Sequence, residues 1–170
     1  MVSPASDRKK VIDDEKVLVR TKMLSTGIEA TIKPVGATLI DDIVSSVPAP
    51  KVPMWHNPDK DRDEENPNDP QYLEEVAKAN KLQATRAMEA LLVFGVDVDV
   101  PEDNEWLKKL RYMEKRGALS LDGYDVDDPL DRELVYKKYI AVGTKDLIEI
   151  GMMAGLNQKD VDQAARQFRS

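Results

Sequence analysis

Residues 47–70, VPAPKVPMWHNPDKDRDEENPNDP, hold six of the chain's ten prolines and its only histidine. Proline has no amide donor, fixes its own φ and pushes the residue before it toward extended backbone. No helix is expected to cross such a stretch. It divides the 170 residues into a part that ends at Val47 and a part that begins at Pro70. The spacing predicts a semi-extended, acidic linker over 48–70, and any core has to be assembled from what lies on either side.

Upstream, residues 1–15 are polar, of mixed charge and aperiodic, which predicts a flexible N-terminal arm. In KVLVRTKML the residues Val17, Val19, Thr21 and Met23 alternate with Leu18, Arg20 and Lys22, the period of a strand. Ser25, Thr26 and Gly27 supply a turn, and Ile28, Ala30 and Ile32 then alternate with Glu29, Thr31 and Lys33. A hairpin is predicted, and since a lone hairpin is marginal in water it has to lean on something else. In GATLIDDIVSSV the residues Leu39, Ile40, Ile43, Val44 and Val47 share one helical face, and Thr38 with Asp41 resembles an N-terminal cap.

Downstream the signals are helical. Asp69 and Pro70 open the longest helix, in which Tyr72, Leu73, Val76, Ala84, Ala87, Met88, Leu91 and Leu92 recur at helical spacing until Gly95. DVDVPED bridges to a second helix with Asp103 at its start, a Trp106, Leu107, Leu110 and Met113 stripe, and Gly117 at its end. Asp128 and Pro129 open a third, closed at Gly143. Thr144 opens a fourth, closed at Gly155, and Asn157 a fifth bearing Val161, Ala164, Ala165 and Phe168. The expected architecture is α+β and mostly helical: an N-terminal β-hairpin, a proline-rich arm, and a cluster of about five to six helices. Residues 16–170 are expected to form a single domain, divided as 16–47 (hairpin plus helix), 48–70 (linker) and 71–170 (helical cluster).

Composition narrows the function. A formal charge of −7 argues against nucleic acid, which needs a basic footprint. No apolar run approaches the roughly 20 residues of a membrane span. The first fifteen residues lack the apolar centre of a secretory signal, and without cysteine there is no disulfide or thiolate chemistry. The expectation is a cytosolic protein with neither nucleic acid nor membrane as partner.

Candidate chemistry is sparse. Asp59, Asp61 and Asp63 alternate like the first ligands of a calcium loop, but Glu64 stands where that loop needs glycine and Pro70 where it needs glutamate. His56 has no second histidine and no cysteine to join it. Lys108–Arg116 form a basic cluster around Tyr112, yet five acids and no base occupy 97–105. Asp122, Asp125, Asp127, Asp128 and Asp131 offer carboxylates without the aromatic cleft of a sugar site. There is no P-loop, nucleophile elbow, dinucleotide fingerprint or zinc-protease motif. Neither a cofactor, nor a metal, nor an enzymatic activity is expected.

Protein binding has better candidates. In KVPMW the residues Val52, Met54 and Trp55 sit where prolines hold the chain extended, and ordering such a segment costs little entropy. Trp55 docks either on this chain's own helices or on a partner, which includes a second copy. The Met152–Met153 pair between Gly151 and Ala154 is a second adaptable apolar surface, with packing inside the cluster as its alternative.

The succession VLVRTKMLSTGIEATIKPVGATLIDDIVSSVPAPKVPMWHNPDKDRDEENPNDPQYLEEV, AMEALLVFGVDV and EWLKKLRYMEKRG resembles the tail assembly chaperones of long-tailed bacteriophages over roughly residues 16–145. The resemblance is one of overall pattern, with no signature motif. It implies a small, acidic, helical late viral protein of the host cytoplasm that coats the tape measure protein, recruits tail tube subunits and is absent from the finished particle. It also implies that a longer, frameshifted form can exist, and it brings no catalytic residues. The rival expectation is a structural tail or head–tail protein kept in the particle, its hairpin paired with a neighbour's strand.

Overall fold

The computed structural model describes residues 19–153. The arm over 1–15 and the helix expected after Asn157 lie outside them. The fold is mixed α+β and mostly helical, with the hairpin at its N-terminal end. Strand β1 (Arg20–Met23) pairs antiparallel with β2 (Glu29–Ile32), with Thr21 opposite Thr31. Gly27 takes φ +83° in the turn, a region that favours glycine.

Helix α1 (Ala37–Ser45) follows, with Ile40 buried and Leu39, Ile43 and Val44 packed against the core. Its cap is Gly36, so Thr38 lies inside the first turn and does not serve as the expected cap. The backbone is already extended at Gly36, and glycine is an acceptable cap residue that lets the helix start two residues earlier than a Thr38 cap would.

Residues 48–70 correct the linker expectation. They contain a second hairpin, β3 (Met54–Asn57) with β4 (Arg62–Glu65), in a two-stranded sheet of its own. The prolines do not prevent it because none lies inside a paired strand: Pro53 precedes β3, Pro58 follows it and Pro67 follows β4. The connection is a turn closed by the Lys60 amide on the Asn57 carbonyl at 3.2 Å, with the Asp59 amide on Asn57 Oδ1 at 3.0 Å. Asn, Pro and Asp stand where a type I turn favours them, and Asp61 takes φ +49° to return the chain.

Helix α2 (Pro70–Gly95) begins as expected: the Asp69 side chain accepts from the Tyr72 amide at 3.0 Å and Pro70 occupies the first turn. The 26 residues make it about 39 Å long. It passes without a loop into β5 (Val96–Val98), a strand absent from the sequence-based expectation for DVDVPED. β5 pairs with β2, giving the order β1–β2–β5. A Cβ on Gly95 would lie 2.8 Å from Val35 Cγ2, so glycine permits this close crossing.

Helix α3 (Glu105–Lys115) buries Trp106, Leu107 and Leu110, while Met113, expected in the same stripe, is exposed at its rim. Helix α4 (Pro129–Tyr136) is capped by Asp128, whose carboxylate accepts from the amides of Leu130 and Asp131. It widens into a π-helical turn over Lys137–Ala141, where a continuous α-helix was expected up to Gly143. Helix α5 (Thr144–Met153) ends the described chain. One hydrophobic core joins β1–β2–β5 to the helices, and it includes Ile32, Met88, Leu91, Leu92, Val96, Val135 and Leu147.

Candidate functional site

None of the core's apolar side chains comes from residues 48–83. The β3–β4 hairpin and the first half of α2 therefore form an arm outside the core. In that half of α2, Leu73 and Ala77 continue the stripe that Ala84, Met88 and Leu91 bury further on, but here both are exposed.

The register assigns the hairpin's faces. Met54 opposes Glu65 and His56 opposes Asp63, whereas Trp55 opposes Glu64 and Asn57 opposes Arg62. Residues directly opposite share a face, so Met54, His56, Asp63 and Glu65 lie on one side and Trp55, Asn57, Arg62 and Glu64 on the other. The second side is held by Glu64, which accepts from Asn57 Nδ2, Lys60 Nζ and the Arg62 guanidinium at 2.7–2.9 Å. Donation by Asn57, then by Lys60 and Arg62, holds its carboxyl below the ordinary glutamate range. On the first side His56 Nδ1 lies 3.2 Å from Asp63 and Nε2 lies 3.6 Å from Asp61. Among the described residues no group of three or more histidines and carboxylates is placed to hold a metal ion.

Of the residues singled out for binding, Val52 is half-buried, Met54 is 60% exposed and Trp55 is 45% exposed. Trp55 is thus not buried in this chain's own core. Met152 is 49% exposed near the end of α5, far along the chain from the hairpin, and Met153 is the last residue of that helix. The sequence places Leu73 in the apolar stripe and does not single out Ala77; both lie on the surface because the core does not extend to this half of α2.

Elsewhere, polar groups serve the fold. In the acidic stretch, Asp131 accepts from the Asp125 amide, Asp125 from the Asp127 amide, and Asp128 caps α4. Tyr124 donates to Glu89, and Lys138 reaches both, 3.1 Å from Glu89 and 2.8 Å from the phenol oxygen. Burial, then the Glu89 carboxylate, pushes the Tyr124 phenol well above its usual range. An open groove of about 570 Å³ runs between the starts of α3 and α4, lined by Val100, Glu102, Asn104, Pro129, Arg132 and Glu133. Arg132 covers the Trp106 ring at 5.1 Å, and Trp106 Nε1 is buried with no hydrogen-bond partner among the described residues.

Compared with protein-family models, with curated proteins and with solved structures, the chain matches none. No described helix is long and apolar enough to cross a membrane.

Proposed function

We propose that this chain is an assembly adaptor, a chaperone in the broad sense, that binds other proteins reversibly through its arm. The observation that carries the reading is the half-exposed Trp55 on a hairpin outside the core, together with the uncovered Leu73 and Ala77 on α2. Tryptophan is among the side chains most enriched at the hot spots of interfaces, and the chain's net charge of −7 limits self-aggregation. The resemblance to phage tail assembly chaperones supplies the partners to try: a tape measure protein and a tail tube protein.

Co-expression of each candidate with this chain, followed by pull-down, tests it. Retention of a soluble complex supports the adaptor; no retention of either partner removes those two clients. Trp55→Ala should weaken retention by about 30-fold, the equivalent of about 2 kcal/mol at an interface hot spot. Its melting temperature should shift by no more than about 2 °C, because the side chain is already half in water. A fall in melting temperature with retention intact would instead make Trp55 an intramolecular anchor.

The rival reading, a structural protein kept in the particle, draws on one feature. Among the described residues strand β1 is an edge of its sheet, with Met23 in it and Val19 just before it exposed. A fixed copy number in purified particles would favour this reading, and absence from them favours the adaptor.

A further inference from the structure

The surface carries two patches of opposite character. Residues 108–116 on and just beyond α3 hold five bases and one acid, and that acid, Glu114, accepts from the Leu121 amide at 2.8 Å. Lys108, Lys109 and Tyr112 fall on one side of this helix and Arg116, just past its end, continues it. All four are exposed, and Glu105 on the same side pairs with Lys108 at 2.6 Å, which leaves Lys109 and Arg116 as the bases beside Tyr112. Tyr112 is 58% exposed at the centre of the group, with the Arg116 guanidinium 5.8 Å from its ring.

The complementary patch is the Met54 side of the β3–β4 hairpin. Residues 59–65 hold five acids and two bases, and both bases contact Glu64, which is on the Trp55 side. The Met54 side therefore presents Glu65 opposite an exposed methionine and Asp63 opposite His56, whose Nδ1 lies 3.2 Å from it, with no Lys or Arg on that side. Two acids around a thioether match bases around a phenol ring in both charge and apolar centre.

We propose that copies of this chain associate through unlike surfaces: the Met54, Asp63 and Glu65 side of one hairpin docks on the Lys108, Lys109, Tyr112 and Arg116 face of another copy's α3. The acidic patch is built into the same chain as the basic one, so a second copy always supplies the match. A contact between unlike patches leaves one of each free and adds copies head to tail unless the rotation closes a ring. Four-residue strands cover little area, so the contact is weak, with a Kd on the order of 10–100 µM, and salt-sensitive. Trp55 lies on the opposite side of the hairpin and remains available, so the inference does not rest on any client.

The test uses the full chain alone, by sedimentation at low salt up to about 500 µM, well above the expected Kd. Average mass should rise with concentration and return to the monomer in about 0.5 M salt, where charges are screened beyond a few ångströms. Asp63→Asn with Glu65→Gln should abolish growth, as should Lys109→Gln with Arg116→Gln, and both double variants should keep the wild-type melting temperature. Mixed in equal amounts, the two should form a heterodimer and stop there, since only one productive contact remains. A wild-type chain that stays monomeric, association untouched by either double variant, or a failure of the two to complement each other would each overturn the proposal.

Discussion

Asp146→Ala should destabilise the protein by about 3–4 kcal/mol, lowering its melting temperature by about 10 °C. Asp146 is 3% exposed in the first turn of α5, where its carboxylate accepts from the Ser25 amide at 3.0 Å, the Ser25 hydroxyl at 2.6 Å and the Gly143 amide at 2.8 Å. The bond to Gly143 is the returning half of a capping box, and the bonds to Ser25 tie the β1–β2 turn to a helix 121 residues away. Two further links reinforce that junction: Thr26 donates to the Ala141 carbonyl and Lys22 pairs with Glu149. A Cβ at Gly143 would run into Ser25 Oγ and force that hydroxyl off Asp146, so glycine suits this junction. Alanine at 146 leaves two backbone donors and a hydroxyl without their charged acceptor. Amide exchange at Ser25–Gly27 should accelerate with the loss of stability; exchange there at the wild-type rate would show that the turn is held by something else.

The same carboxylate sets an acid limit. Burial pushes the Asp146 carboxyl up, but donation from the Ser25 hydroxyl and amide and the Gly143 amide outweighs it and holds the group below the ordinary aspartate range. A depressed folded value means that the unfolded chain binds the proton more readily. The contribution is therefore complete above the unfolded value of about 3.9 and is lost as pH falls through the lower folded value. Asp146→Asn, which keeps one acceptor oxygen, should be milder than alanine and should flatten this acid-side dependence. An unchanged slope of stability against pH below about 4 in Asp146→Asn would assign the acid limit to other carboxylates.

These dependences show which parts of the fold were legible in the sequence. Asp69–Pro70 and Asp128–Pro129 could be read directly, because a cap and a first-turn proline act within a few residues and the structure uses both as written. The β3–β4 hairpin was also local, in the Asn57-Pro58-Asp59 turn and the left-handed Asp61, but its strands are charged and do not alternate, so the prolines dominated the reading. β5 had no local signal: three residues become a strand because β2 offers an edge to them. In β1 the alternation was correct but its direction was not written in it. The register places Arg20 and Lys22, not Thr21 and Met23, on the side of Ala30 and Ile32, and Lys22 reaches out to Glu149. For the candidate site, the sequence named Val52, Met54 and Trp55. It could not say that the core stops at Ala84, which is what leaves Trp55, Leu73 and Ala77 uncovered.

Lys137 is where local grammar and tertiary demand conflict most, and its replacement should have an effect as large as that of Asp146. It is 2% exposed, in the π-helical turn, with Nζ 3.0 Å from the Leu92 carbonyl and 2.5 Å from Glu133. Leu92 lies in the last turn of α2, where carbonyls run out of intrahelical donors because the chain leaves directly into β5. The lysine supplies the missing donor from another element, and the wide turn, closed by the Val142 amide on the Lys137 carbonyl at 3.0 Å, accommodates it. Lys137→Ala removes the donor and leaves a cavity in the core, so a loss of about 3–5 kcal/mol is expected. Lys137→Met keeps most of the volume. Glu133 is 37% exposed and finds water, so the methionine variant should lose only about 1–2 kcal/mol for the unpaired Leu92 carbonyl. Chemical denaturation of the two variants separates the causes. Alanine far worse than methionine means that packing around the stem dominates; equal losses mean that the hydrogen bond closing α2 is what the buried charge is for.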